Sequence, residues 1–595
     1  MNIPTYLTFM KLKPLFFITF LVLGSTLLRS QDFLAIPLSI PGIANGGSCW
    51  GDYDNDGDLD LLLNGQLADW TSTTMIWKNT DGVFTEVPGE FPALYQGTAR
   101  WGDYDNDDDL DLLVCGMNNL GEGKTLLFNN DGGTFIQAEA PFTGITLGSA
   151  TWVDENNDNW LDVMIAGDSS YNDPVARLYH NNGDGAFTEV DAKLPASLNG
   201  SYTFGDYDND GDEDLFITGF CEYTYASRLL RNDGEGSFAD TQIPFDSVAY
   251  GYMIFLDIDK DRDLDIIYMG NDLSAEYIAR VYRNDGNDTF TKLTTGLVGE
   301  WVGQIDAADF DNDGDPDLAI TGALCCGNAL TDLYLNDGNG HFTSFQSNLP
   351  ARTFSQIRFG DFDNDGDADL LLTGIAETTT GLPMTQIFRN TMGTNTFGSN
   401  APPDAPGNLT VDVILDEATF HWSPSADDKT PPAALTYNLY LGDAPASSTA
   451  VSPMANPANG FHRVFATGNV NQDTSWTIRG LPAGTYYWSV QAYDHSLSGS
   501  AFASEQSFAI TYVGTDEDPE TSAILLYPNP VSTRLQVRCE AGGEMSLYDA
   551  YGKLRGSHPL SAGVNTLDVS SLEKGIYLLR ITAGGHLATK KFIRE

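Results

Sequence analysis

A chain of 595 residues with 83 acidic against 30 basic side chains carries a formal charge of −53. That sign excludes a general nucleic-acid binder, because a polyanion is repelled, and 42% hydrophobic with 11% aromatic residues excludes a disordered chain. Six cysteines (Cys49, Cys115, Cys221, Cys325, Cys326 and Cys539) are too few in this length for a disulfide-framed scaffold, and they show no CxxC or Cys/His spacing, which excludes a zinc module.

Residues 1–31 read as an export signal. Lys11 and Lys13 form a positive start, and Leu15 to Leu28 is an apolar run broken by Thr19, Gly24, Ser25 and Thr26. The run is short for a membrane span, and no later segment holds 18 consecutive apolar residues. The mature chain is expected to begin near Gln31, to leave the cytoplasm and to have no integral membrane span.

Residues 32–400 repeat. Seven acidic segments, from GDYDNDGDLDLLLNG to GDFDNDGDADLLLTG, begin at Asp52, Asp103, Asp154, Asp206, Asp257, Asp309 and Asp361, spaced by 51 or 52 residues. Each is followed by a short apolar run that closes on glycine, Gly65 in the first, and then by an Asn/Asp/Gly turn such as NTDGVF. Such runs between turn signals fit strands buried on both faces, and about 50 residues accommodate four short strands. Seven four-stranded units predict a β-propeller. The segment from Phe33 parallels that from Phe84, whereas the seventh unit stops soon after Phe397. The N-terminal strand is therefore expected to complete the last blade.

The acidic segments are numbered here as loops 1 to 7, with the leading Asp as position 1. Positions 1, 3, 5, 7 and 9 are Asp52, Asp54, Asp56, Asp58 and Asp60 in loop 1, and Asp103, Asp105, Asp107, Asp109 and Asp111 in loop 2. Loop 3 has Asp154, Asn156, Asp158 and Asp162 at positions 1, 3, 5 and 9. Loop 4 has Asp206, Asp208, Asp210, Asp212 and Asp214, and loop 5 has Asp257, Asp259, Asp261, Asp263 and Asp265. Loop 6 has Asp309, Asp311, Asp313, Asp315 and Asp317, and loop 7 has Asp361, Asp363, Asp365, Asp367 and Asp369. Carboxylates on alternate residues repel one another without a counter-ion. In a tight loop positions 1, 3, 5 and 9 converge with the position-7 carbonyl, which is the hard oxygen set that Ca²⁺ prefers, and glycine at position 6 supplies the turn. Position 12 is apolar in every loop, never the bidentate Glu of an EF-hand. Up to seven Ca²⁺ sites are expected, strongest in loops 1, 4, 6 and 7. Asp108, Asn159 and Arg262 stand where glycine is expected in loops 2, 3 and 5, and Lys260 adds a cation inside loop 5.

This D-x-D-x-D-G-x-x-D pattern at fixed spacing resembles the FG-GAP family with its VCBS relatives, the repeat of the seven-bladed head of integrin α subunits. The resemblance implies calcium in hairpin loops on one face of the disc and ligands on the other, with Asp52, Asp54, Asp56 and Asp60 and their equivalents as metal ligands. An aromatic stripe two residues before each loop (Trp50, Trp101, Trp152, Phe204, Phe255 and Phe359, with Ala307 the exception) reads as packing between blades. The segments after each closing glycine should lie on the face opposite the loops. They carry Trp70, Tyr171, Tyr223, Tyr225 and Tyr277, candidate contacts for a glycan or protein partner.

Residues 401–512 start with Pro402, Pro403 and Pro406 and then alternate apolar and polar, which predicts a β-sandwich. The stretch is similar to fibronectin type III domains, which would make Tyr486 a tyrosine corner. An acidic linker at 513–522 leads to a small β-domain at 523–595 with nine basic and six acidic residues. Its YPNP, its Gly-Ile-Tyr segment and its Lys-rich end resemble the type A C-terminal sorting domain of type IX secretion. That resemblance implies contact with the secretion machinery and delivery to the outer cell surface or the medium. The expected architecture is all-β: a seven-bladed β-propeller, a β-sandwich and a small C-terminal β-domain.

None of H-E-x-x-H, G-x-S-x-G or G-x-x-x-x-G-K-[ST] occurs. The leading expectation is a non-catalytic calcium-dependent binding protein at the cell surface or in the medium, of the adhesin type. Its rivals are a polysaccharide-active enzyme scaffolded on the propeller and a structural spacer.

Overall fold

The computed structural model describes residues 32–594, apart from 171–172, 222–223, 235, 275, 325–327, 346, 377–380, 393–399, 415, 511–524, 528–529, 532, 540, 551–552, 573 and 584–585. The export signal lies outside the described residues. The described residues form strands and loops with no helix, so the chain is all-β.

Each repeat folds into one antiparallel blade. In blade 1 the strands Ser48–Gly51, Asp60–Gln66, Ser72–Lys78 and Thr85–Glu86 pair in that order, from the inside of the ring outward. Gly65 has φ +151°, and a Cβ there would meet the Ala44 carbonyl oxygen at 2.7 Å, so the close approach explains the closing glycine. The inner strands of the later blades are Ala99–Gly102, Thr146–Val153, Ser197–Gly205, Val248–Leu256, Trp301–Ala308 and Arg352–Gly360. They stand side by side around an axis, and the seventh returns to the first, where Arg358 Nε donates to the Ser48 carbonyl at 3.4 Å.

The closing strand is Phe33–Ala35, which pairs antiparallel with Pro383–Asn390 as the outer strand of blade 7. Phe33 is buried and meets Phe310 edge-on at 6.0 Å. Phe33→Ala should cost about 3–5 kcal/mol, read as a lower urea midpoint. An unchanged midpoint would show that the clasp adds no stability.

The aromatic stripe packs between blades as its register predicts. Trp50 stacks on Phe362 at 6.4 Å, Trp101 on Tyr53 at 5.9 Å, Trp152 on Tyr104 at 6.5 Å and Phe359 on Phe310 at 6.0 Å. Every partner is the position-2 residue of the preceding loop, so the acidic loops are tied into the interblade cores.

Two three-stranded sheets follow. Gly407–Ile414, Glu417–Ser423 and Ser475–Ile478 form one; Thr436–Gly442, Gly484–Tyr493 and Gln506–Ile510 form the other. Phe420, Trp422, Tyr437, Trp476, Trp488 and Val490 fill the space between them. The Tyr486 hydroxyl donates to the Pro482 carbonyl at 3.0 Å. Residues 525–594 form a separate pair of small sheets around Val537, Leu547, Leu579, Ile581 and Phe592.

Candidate metal centres

Each acidic loop joins the inner strand of its blade to the second strand. Positions 4 and 6 take left-handed backbone, as in Asn55 (φ 58°) and Gly57 (φ 87°) of loop 1. Asp108 (φ 69°), Asn159 (φ 68°) and Arg262 (φ 75°) adopt the same conformation at position 6. Loops 2, 3 and 5 therefore keep the turn without glycine, at a cost on the order of 1 kcal/mol each.

The turn gathers the carboxylates. In loop 1 the Asp56 and Gly57 amides donate to Asp52 at 3.0 and 2.9 Å, and the Tyr53 and Asn79 amides donate to Asp60 at 3.3 and 2.7 Å. Positions 1 and 9 are thereby locked, and the same bonds recur at Asp206 and Asp214 in loop 4 and at Asp361 and Asp369 in loop 7. Oxygens of Asp52, Asp54 and Asp60 lie within 4.8 Å of one another, as do those of Asp103, Asp105 and Asp107, of Asp206, Asp208 and Asp210, and of Asp257, Asp259 and Asp265. Each group is close enough to hold a metal ion. At position 3 one oxygen, Oδ1 of Asp54, Asp105, Asp208, Asp259 and Asp363, is buried without a hydrogen-bond partner.

The clustering shows in protonation. Burial, reinforced by the other carboxylates of each loop, pushes Asp60, Asp111, Asp265 and Asp317 up to about 9. Burial likewise raises Asp52 to about 6, Asp103 and Asp309 to about 7 and Asp154 to about 8. Such carboxyls take up either protons or a cation at neutral pH.

Part of the counter-charge comes from within each blade. One residue at the end of the third strand faces position 3 of its own loop: Lys78 pairs with Asp54 and, at 2.9 Å, with Asp56. Arg231 meets Asp208 at 2.7 Å, Arg283 meets Asp259 at 3.9 Å and Arg389 meets Asp363 at 2.5 Å. Loop 3 has His180 instead, 3.2 Å from Asp162 and 3.7 Å from Asp158. The Asp162 hydrogen bond raises its pKa to about 9, so the ring is cationic at neutral pH. Loop 2 has neutral Asn129, donating to Asp105 at 2.6 Å, and in loop 6 the register position is Leu335.

Position 7 points elsewhere. Asp58, Asp109, Asp212, Asp263 and Asp367 accept from the position-4 Asn of the preceding loop: Asn364, Asn55, Asn157, Asn209 and Asn312. In loop 3, which has Trp160 at position 7, Asn106 instead donates to the Asn159 carbonyl at 3.2 Å. Lys260 holds position 4 of loop 5 and reaches Asp315 of loop 6 at 2.5 Å. The seven loops thus form a closed circle of side-chain links, in which Lys260 is a link between blades. A second buried series, Asn79, Asn130, Asn181, Asn232, Asn284, Asn336 and Asn390, donates to the position-2 carbonyl of the preceding loop, for example Asn79 to Phe362 at 2.8 Å. Both series repeat with the period of the aspartates, and that period was the available signal.

The sandwich sits on this loop face. Arg463, 4% exposed, donates to the Asn159 carbonyl at 2.9 Å, and its own carbonyl accepts from the Asp103 amide at 2.8 Å. Asn456 and Asn459 donate to Asp108 in loop 2, Ser452 to Asn157 in loop 3 and Arg479 to Asp263 in loop 5. Ser496 donates to Asp361 and Asn364, and His495 Nδ1 lies 3.1 Å from the Gly366 carbonyl. Residues 361–369 of loop 7 are all buried, whereas residues 55–57 of loop 1 are exposed.

On the opposite face, Trp70 is 59% exposed and has φ 66°. Tyr277 stacks on Trp301 at 6.0 Å, with Tyr250 edge-on to the same indole at 6.0 Å, and Tyr225 meets Phe220 at 6.0 Å. Tyr171 and Tyr223 lie outside the described residues. Tyr250 and Trp301 were not anticipated. They belong to inner strands, and Tyr250 occupies a left-handed position (φ 58°) that recurs at Leu147, Val302 and Phe354. Bulky and β-branched residues in that region are strained.

Five stretches, residues 52–114, 154–217, 206–268, 257–320 and 324–372, match the FG-GAP-like repeat, and residues 525–595 match the secretion system C-terminal sorting domain. The chain carries FG-GAP-like repeats and a sorting domain. The FG-GAP-like stretches span the acidic loops, and the sorting domain marks the protein for export by type IX secretion to the cell surface or the extracellular space. Among the described residues no helix is long and apolar enough to cross a membrane. No curated protein matches the chain. Among solved structures, it is similar to the extracellular domain of a hybrid two-component system from B. thetaiotaomicron, at 12% identity and a TM-score of 0.32. That match covers 80% of this chain and 57% of the other. It is also similar to an α-L-arabinanase from Penicillium chrysogenum, at 10% identity and a TM-score of 0.31, over 59% of this chain and 98% of that one.

Proposed function

We propose that this FG-GAP-repeat protein is an exported, non-catalytic binding protein whose propeller is held by calcium. The observation that carries the calcium reading is the buried, unpartnered position-3 oxygen in five loops, set among carboxylates whose proton affinity is raised. Positions 1, 3, 5 and 9 of each loop would hold the ion and the position-7 carbonyl would complete the set. The partner is an extracellular glycan or protein, met on the face away from the loops, and the sandwich, similar to fibronectin type III, holds the other face. Exposed Trp70 and the Tyr250–Trp301–Tyr277 group support this reading, since aromatics on a rigid rim are common contact residues.

The test has two arms. Titration of chelator-treated protein with Ca²⁺, followed by calorimetry and metal analysis, should show at least four ions per chain. Fewer than one would defeat the calcium reading. A glycan panel screened with the wild type and with Trp70→Ala/Tyr277→Ala should show at least tenfold weaker binding in the variant. Equal binding by a variant that melts like the wild type would place the contact elsewhere.

A further inference from the structure

The axis of the disc holds a charged group that neither the acidic loops nor the aromatic rim uses. One residue before the interblade aromatic position, the inner strands of blades 2, 6 and 7 carry Arg100, Asp306 and Arg358, where the other four blades carry neutral side chains. With Tyr252 of blade 5 these residues line a cavity of about 520 Å³, also bordered by sandwich residues 464–472.

Arg358 is fully engaged across this space. It donates to Asp306 at 3.1 Å, to the Tyr252 hydroxyl two blades away at 3.2 Å and to the Ser48 carbonyl at 3.4 Å. Asp306 is used up in turn, accepting from Arg358 and from the Phe359 amide at 2.7 Å. Arg100 differs. Its one hydrogen bond goes from Nη1 to the neighbouring Ala99 carbonyl at 3.1 Å, and it forms no ion pair with any described residue. Its charge still reaches over the axis: burial alone would raise the Tyr252 phenol, yet Arg358 and Arg100 together hold it below its ordinary value. Asp306 also feels the Arg100 charge, but no carboxylate bonds Arg100 directly. In a chain with 83 acidic and 30 basic residues, a cavity-lining guanidinium left unbridged is poorly explained by packing.

We propose that the central cavity binds a small oxyanion, gripped by the free guanidinium fork of Arg100 with the Tyr252 hydroxyl beside it. Arg358, its charge balanced by Asp306, positions that hydroxyl and leaves Arg100 as the unbridged positive group. A guanidinium matches two oxygens of a carboxylate or sulfate at once, which an ammonium does not. The volume suits a monosaccharide-sized ligand. Asp206 and Asp309 line the loop end of the same cavity, so the anionic end of a ligand faces Arg100 and its neutral end faces the loops. The oxyanion is either the carboxylate of an acidic sugar or a free inorganic anion. The site does not depend on the calcium reading.

Calorimetric titration of the full chain, with calcium present throughout, separates these cases with glucuronate, glucose and sodium sulfate as probes. Glucuronate should bind at least tenfold more tightly than glucose, and Arg100→Ala should weaken it at least tenfold. Arg100→Gln, close in size but uncharged, serves if the alanine variant fails to fold, and should show the same loss. Sulfate binding that needs Arg100, without glucuronate binding, would support the site and assign it to an inorganic anion. Binding of neither anion by the wild type, or equal binding by a folded Arg100 variant, would overturn the proposal.

Discussion

Chelation should lower the melting temperature of the propeller by about 10 °C or more at pH 8. An ion bound only by the folded state contributes about 2.7 kcal/mol at a hundredfold excess over Kd. Each kcal/mol moves the midpoint by roughly 2 °C in a large domain, so two filled loops already produce the shift. The pH dependence has a definite sign. Asp60, Asp111, Asp265 and Asp317 have folded pKa values near 9, above the ordinary carboxylate value of 3.8, so the metal-free folded state holds more protons than the unfolded chain between about pH 4 and 9. Without calcium, stability should therefore fall as pH rises through that window. With calcium the same carboxyls give up protons to the ion, and binding tightens with pH. The gap between calcium and chelator melting curves should be wider at pH 8 than at pH 5.5. Identical curves at pH 8 would mean that the internal cations Lys78, Arg231, Arg283 and Arg389 already balance the loops.

Arg463→Ala should release the sandwich from the propeller. The side chain is buried against loop 3, and the surrounding Asp103, Asp154 and Asp108 offset the burial that lowers its pKa. Removing one partner of a buried charge group costs about 3–5 kcal/mol. The expected result is a melting profile that separates into two transitions and faster proteolytic cleavage within residues 401–406. Arg463→Lys keeps the charge but loses the Nη1 bonds to the Asn159 and Ala455 carbonyls, and should fall between the two. One cooperative transition at the wild-type temperature in Arg463→Ala would show that the other loop contacts suffice.

What was legible in the sequence was what is local. The aspartates at positions 1, 5 and 9 bond to amides within the same loop or the same blade, and position 3 meets a cation of its own blade in four loops, so their spacing alone points to a convergent site. The closing strand was legible too, because Phe33 and Phe84 begin parallel segments one register apart. The position-4 asparagines repeat just as strictly, but an Asn between aspartates reads as a turn former. Its acceptor is some 50 residues away, in the next blade, and only the ring brings the two together. The same holds for Lys260. Inside loop 5 it looks adverse to cation binding, yet in the fold it takes the place of an asparagine and reaches Asp315. Arg463, Arg479 and Ser496 carried no signal at all, since nothing in a sandwich sequence says which side of a disc it will cover.

That coverage gives the molecule a direction. With loops 2, 3, 5 and 7 engaged by the sandwich, the side bearing Trp70 and the Tyr250–Trp301–Tyr277 group is, among the described residues, the side turned away from it. The last described strand of the sandwich ends at Ile510, and the sorting domain follows from residue 525, so the exported end of the chain comes after the domain that covers the loops. A molecule held at the cell surface through this end is attached by way of the domain on the loop side, not by way of the side that bears Trp70.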